Sequence, residues 1–134
     1  MSYWIIKSDP ESYSWEQMKK DKKTFWDGVR NYQARNNLKL MKEGDIALFY
    51  HSNSDKALVG EVEIIKEYYQ DPTTDDDRWV CVDVRYLCDY KKPLTLEVMK
   101  ANKGFSEVGL IKQSRLSVMP ITIKEYELIK SFVD

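Results

Sequence analysis

Three strand-like stretches, 45–52, 57–67 and 79–90, follow one another with little between them, and they restrict the fold more than any other feature. Asp45 to Ser52 is a short apolar run of the kind that forms a buried strand, and Asn53-Ser54-Asp55 reads as a hairpin turn. From Ala57 to Glu67 the pattern alternates, with Leu58, Gly60, Val62 and Ile64 expected inward and Glu61 and Glu63 outward. A glycine inside a strand marks a bulge or a close approach by another group, so Gly60 is expected to do one or the other. Trp79 to about Tyr90 is the longest run, with Val80, Val82, Val84 and Tyr86 on one face, and Lys91-Lys92-Pro93 is expected to break it. Strands joined this closely pair as an antiparallel meander. A doubly wound parallel sheet, which needs a crossover between each pair of strands, is excluded.

The remaining segments add short helices and two further strands. Tyr3 to Ser8 alternates as a strand and stops at Asp9-Pro10, where proline removes a ladder donor. Ser14 with Gln17 three residues on predicts a capped helix to about Lys20, with Tyr13 packing onto Met18. Thr24 to Trp26 is extended, and Asp27-Gly28 is a turn. The spacing of Ala34, Leu38 and Met41 predicts a helix over 31–41 with those three in the core and Arg35, Lys39 and Lys42 along one edge. Tyr69 to Asp77 reads as a polar, mobile loop. Thr95 is placed to cap a helix through Lys100, Ser106 to begin a turn through Ile111, and Leu116 to Met119 to form a strand ending at Pro120. Thr122 and Glu125 form a capping box for the last helix, with Ile123, Tyr126, Ile129 and Val133 as its apolar stripe. The order of elements predicts an α+β fold, one domain over 1–134, with a curved mixed sheet flanked by short helices.

Composition removes several functions. One histidine and two isolated cysteines among 134 residues offer no metal-binding spacing, so no metal is expected. Cys81 and Cys88 lie seven residues apart in one strand, on opposite faces, and are expected to stay reduced. No phosphate loop, dinucleotide fingerprint or serine-hydrolase elbow is present, and no cofactor is expected. The longest apolar run falls short of the roughly 18 residues of a membrane span. Lys7 and Asp9 follow too early for a signal peptide, so a cytoplasmic protein is expected; the oligomeric state is open, with a monomer favoured. The formal net charge is -1, which argues against strong nonspecific nucleic-acid binding. The charge is unevenly placed, however: between Gly28 and Lys42 stand four basic residues and no acid, and Lys112 and Arg115 lie in a second acid-free stretch.

One stretch, Trp26 to Ser52, crowds aromatic rings, amides and positive charge together. Bases are recognised by stacking on aromatic rings and by hydrogen bonds to their edges. Trp26 beside Asp27-Gly28 suits either a pocket wall or plain core. Asn31 offers both donor and acceptor. Phe49 and His51 share one face of their strand, Tyr50 and Ser52 the other. Lys7, Ser8, Arg30 and Arg115 have the chemistry to hold phosphate. His51 stands without a second histidine or a nucleophile motif and reads more readily as structural than catalytic.

Tyr3 to Pro10, Phe25 to Leu38, Phe49 to Ser52 and Gln113 to Pro120 resemble the signature blocks of the EVE domain, in family order along nearly the whole chain. Asp9 stands where the family usually has glutamate, a conservative departure. The resemblance implies a PUA-like fold, a bent β pseudo-barrel with helices around it, similar to the YTH readers of methylated adenine in RNA. It implies a noncatalytic reader of a modified base, cytosine or adenine, flipped into an aromatic pocket, with DNA favoured as partner and RNA the alternative. Ser8, Trp26, Asp27, Asn31, Phe49, Tyr50, His51, Ser52, Gln113 and Ser114 would then contact the base, and Lys7, Arg30, Arg35 and Arg115 the phosphates. The rival expectation is an RNA-processing enzyme of the same superfamily, in which Lys7, Asp27, Tyr32 and His51 would move protons.

Overall fold

A computed structural model describes residues 1–53 and 55–134, so Ser54 of the expected 53–55 turn lies outside the described residues. Six strands make one mixed sheet: β1 (Tyr3–Ser8), β2 (Lys23–Phe25), β3 (Ile46–His51), β4 (Ala57–Gln70), β5 (Val80–Thr95) and β6 (Val118–Ile121). Their spatial order is β2-β5-β4-β3-β1-β6. The expected meander is β3-β4-β5. β1 inserts beside β3 in parallel and pairs with β6 antiparallel, so both of its edges are paired, and Trp4, Ile5 and Ile6 are all buried. β2 and β6 remain as free edges, and the sheet curves without closing. Pro120 is tolerated in β6 because an edge strand needs only one row of ladder bonds.

The curvature has a local cause. The β3–β4 register shifts between Phe49 and Tyr50, and the β4–β5 register shifts at four places. Extra residues in one strand bend it and increase its twist. Gly60 sits at the sharpest of these shifts. A Cβ there would fall on the Trp15 indole and 2.5 Å from the Cys88 carbonyl oxygen, so both roles expected of this glycine are present. β5 does not end at Lys91-Lys92-Pro93. It runs on to Thr95, because Leu58 and Gly60 pair with Leu94 and Asp89, and Tyr90 to Pro93 bulge between them. Proline is accommodated in such a bulge. Cys81 and Cys88 are unbridged.

Five helices, α1 (Trp15–Asp21), α2 (Tyr32–Leu40), α3 (Leu96–Lys100), α4 (Gly109–Lys112) and α5 (Ile123–Val133), decorate the sheet, with a 3-10 turn at Lys103–Phe105. Ser14, Asn31, Thr95 and Thr122 cap four of them by accepting a backbone N–H. Only Thr122 and Glu125 complete the reciprocal box; Gln17 instead donates to Asp21 at 2.8 Å. Ala34, Leu38 and Met41 are fully buried, as their spacing requires. Ile123 is exposed, which removes it from the expected stripe of α5.

Two acids correct the sequence expectation. Glu61, expected to face outward, is 3% exposed and accepts from Tyr90 Oη at 2.8 Å and Tyr126 Oη at 3.0 Å, with Lys130 Nζ at 3.6 Å. The side chains of α5 thus dock on a charge within the sheet. Asp71, expected in a mobile loop, is fully buried, and it ties that loop to the Trp26 region.

Candidate functional site

A cavity of about 500 Å³ opens where the end of β1, the chain before α1 and the turn after β2 converge. Lys7, Ser8 and Asp9 form one side, Ser12 and Tyr13 the second, and Thr24 through Arg30 the third, with Ser117 closing the rim. Trp26 extends the β2 pairing by donating its backbone N–H to the Val82 carbonyl at 2.8 Å, which drives the ring inward. The ring is 7% exposed and meets Phe49 and Tyr13 edge-on, at centroid distances of 5.5 and 6.1 Å. Unlike the indole N–H groups of Trp4 and Trp15, bonded to Asp45 and Asp89, that of Trp26 has no protein acceptor among the described residues. It is not sealed from solvent either. Trp26, largely buried and held edge-on by Phe49 and Tyr13, therefore forms an enclosing wall of the cavity, with an indole N–H that no protein acceptor among the described residues occupies.

The Asp27-Gly28 turn is shaped from below. Gly28 adopts φ 78°, a conformation that glycine reaches without penalty. Its N–H donates to Asp71 Oδ2 at 2.9 Å, and Arg30 Nη1 donates to the same oxygen at 3.0 Å. Asp71 Oδ1 accepts from the Thr73 N–H at 2.7 Å and from Thr73 Oγ1 at 2.5 Å. Burial pushes this carboxyl up, but the hydrogen bonds from Thr73, Gly28 and Arg30 outweigh it and hold the pKa down at about 2. Asp71 thus sets one wall of the cavity from 43 residues away. Its one sequence signal is a threonine two positions on, the pattern of an Asx turn.

A second depression of about 350 Å³ adjoins the first, lined by Asn31, Gln33, Lys112, Gln113, Ser114, Arg115 and Leu116. Lys7 joins the two. Its backbone N–H donates to the Ser117 carbonyl at 2.9 Å and its Nζ to the Ser114 carbonyl at 2.6 Å, while burial lowers its pKa. Lys112 pairs with Glu107 at 2.8 Å; Arg115 has no ion-pair partner among the described residues. Asn31 spends its Oδ1 on the Ala34 N–H at 2.9 Å as the cap of α2, leaving its amide N–H groups for the depression.

The structure thus brings together Lys7, Ser8, Trp26, Asp27 and Arg30 at the cavity, and Asn31, Gln113, Ser114 and Arg115 at its neighbour. It does not bring the β3 end to either. Phe49 is fully buried and supports Trp26 from behind; Tyr50 is buried, its pKa pushed up to about 12 by burial and by Asp55. His51 Nε2 accepts the Trp15 N–H at 3.0 Å, and its Nδ1 faces Asp55 Oδ2 at 3.0 Å. That geometry describes a neutral imidazole capping the start of α1, with Nδ1–H donating to the carboxylate. Ser52 donates its N–H to the Ser8 carbonyl at 2.9 Å, a backbone tie behind the cavity. Arg35 lies outside both depressions and covers the Tyr32 ring at 5.0 Å. Ser12, Tyr13, Thr24 and Ser117 line the cavity without having been singled out, because nothing in their local spacing distinguishes them from loop residues.

The model of the EVE domain family matches residues 2–132. Mouse thymocyte nuclear protein 1 is 38% identical over 97% of this chain and 73% of its own length. The crystal structure of human THYN1 protein in complex with 5-methylcytosine containing DNA superposes with a TM-score of 0.92 at 33% identity, covering 100% of this chain and 98% of that one. The Mmi1 YTH domain, at 13% identity, shares the fold with a TM-score of 0.60 over 98% of this chain and 74% of that one, which places the curved sheet in the PUA-like class. A family match over residues 2–132, from before β1 to within α5, means that this chain belongs to the EVE domain family.

Proposed function

We propose that this chain is a noncatalytic reader of a modified base in nucleic acid, with 5-methylcytosine in DNA as its first candidate, and that one extruded nucleotide enters the Trp26 cavity. What carries the reading is the full-length likeness to a human protein held with 5-methylcytosine containing DNA. The cavity supports it. Its volume of about 500 Å³ lies within the ~300–1,000 Å³ range of small-molecule pockets. Its wall carries a free indole donor and the exposed Asp27 carboxylate as acceptor, the two kinds of group needed to read a base edge. Arg115 and the Asn31 amide in the adjoining depression face where the phosphates beside an extruded nucleotide would pass. Arg30 is committed to Asp71 and contributes charge and rigidity more than a mobile phosphate contact. A proton-transfer role for His51 finds no support in its geometry, since both ring nitrogens serve the α1 cap and Asp55.

The test is a set of binding titrations with duplexes carrying one 5-methylcytosine, one methylated adenine or neither, and with the matching RNA strands. Wild type should prefer one modified duplex, and Trp26→Phe, which keeps an aromatic ring but removes the pyrrole part of the indole with its N–H, should lower that preference. Equal affinity for modified and unmodified strands would refute the reading.

A further inference from the structure

Outside the two depressions lies a third, of about 380 Å³, lined by Lys19, Lys22, Lys23, Arg85 and Tyr86 and by no acidic residue. Lys19 is neutralised by Asp89 at 3.2 Å and Glu16 at 3.5 Å, and Arg85 by Glu63. Lys22 and Lys23 have no ion pair among the described residues. The nearby Asp21 forms no ion pair with either; its carboxylate, which keeps its charge, accepts from Tyr13 Oη and Gln17 Nε2, both at 2.8 Å. Two ammonium groups therefore remain without a direct ion pair at a concave surface.

The backbone holds this surface in place. Lys22 closes α1 at φ 66°, a conformation costly for a residue with a Cβ and usually given to glycine at a helix end. It is fixed from both sides, its N–H donating to the Met18 carbonyl at 2.8 Å and its carbonyl accepting from the Tyr86 N–H at 2.7 Å. Lys23 then begins β2, and the next residues, Thr24 and Phe25, line the main cavity. The two concavities thus meet at one three-residue edge strand, Lys23 lining one and Thr24 and Phe25 the other.

Building on the reading of the cavity as the seat of an extruded base, we infer that the Lys22–Lys23 surface receives the phosphate backbone of the same DNA beside the Thr24–Phe25 wall of the cavity. It shares no lining residue with the Arg115 depression, so it adds a second, separate backbone contact next to the displaced nucleotide. Neither lysine lines the cavity, so they hold the duplex without reading its base.

Fluorescence anisotropy at several salt concentrations tests this with wild type, Lys22→Gln/Lys23→Gln, Lys23→Gln alone, and Lys91→Gln/Lys92→Gln, which line neither this surface nor the main cavity. The probes are a duplex with one 5-methylcytosine and its unmodified counterpart. Each lost phosphate contact should lower the salt slope by about one. The double variant should therefore fall by about two and the single by about one on both duplexes, with the modified-to-unmodified ratio unchanged. The Lys91/Lys92 variant should keep the wild-type slope. A wild-type slope in the Lys22/Lys23 variants overturns the inference, as does an equal fall in the Lys91/Lys92 variant, which would mean bulk charge alone. Loss of base preference in wild type would instead sink the reading of the cavity, and the slopes would still decide this surface.

Discussion

Replacing Asp71 with asparagine removes one charge from beneath the cavity wall and changes almost nothing in volume. Asp71 is fully buried and receives four hydrogen bonds, from Gly28, Arg30 and, twice, Thr73. Its pKa lies at about 2 against an ordinary value of 3.8. A difference of that size corresponds to roughly 2 kcal/mol of folding free energy. Because the folded value is depressed, that stabilisation is complete above the ordinary value and is lost as the pH falls through about 2. An amide at this place offers one acceptor oxygen where two are in use, and it leaves the Arg30 guanidinium without its counter-charge. Urea denaturation followed by tryptophan fluorescence should show Asp71→Asn less stable than wild type by roughly 2 kcal/mol at neutral pH. The gap should narrow as the pH falls from about 4 to about 2, because wild type then loses what the variant already lacks. A gap within about 0.5 kcal/mol at neutral pH, the size of an ordinary surface change, would refute the reasoning. So would a gap that stays constant down to acid pH.

Three other substitutions test separate parts of the account. Gly60→Ala sets a methyl against the Trp15 ring and the Cys88 backbone and should cost about 1–3 kcal/mol in denaturant melts; a neutral result would mean that the bulge yields freely. Glu61→Ala leaves the buried Tyr90 hydroxyl, the part-buried Tyr126 hydroxyl and Lys130 without their acceptor and should lose about 3–5 kcal/mol, with earlier hydrogen exchange in α5 than in β1. Phe49→Ala should lose about 3–5 kcal/mol as a core truncation, whereas a folded Phe49→Leu should keep the wild-type base preference, measured by titration, since that ring does not reach the cavity.

Much of this was legible in the residues, and what was not has physical reasons. Periodicity and capping chemistry are local, so β1, the β3–β5 meander and the caps at Ser14, Thr95 and Thr122 followed from spacing alone. Glu61 was misplaced because alternation assumes that an acid faces water, and it has no means of showing that Tyr90, Tyr126 and Lys130 converge on that acid from 29 to 69 positions away. The same limit hid Asp71, whose partners Gly28 and Arg30 lie across the chain. The β3 end does not line the cavity, for a different reason. Phe49 and His51 do share a face, but that face packs on Trp15 and Trp26 instead of opening to solvent. Alternation assigns a side chain to a face and is silent on whether the face is a surface.

The most direct test of the central claim watches one atom. In a ¹H–¹⁵N spectrum the indole resonance of Trp26, assigned by its disappearance in Trp26→Phe, reports on the only cavity-lining tryptophan among the described residues. Titration with a duplex carrying one 5-methylcytosine should move that resonance strongly. The same concentration of unmodified duplex should move it less, and the indoles of Trp4 and Trp15, bonded to Asp45 and Asp89, should stay in place. A Trp26 resonance that does not move while the modified duplex is demonstrably bound would place the base somewhere else.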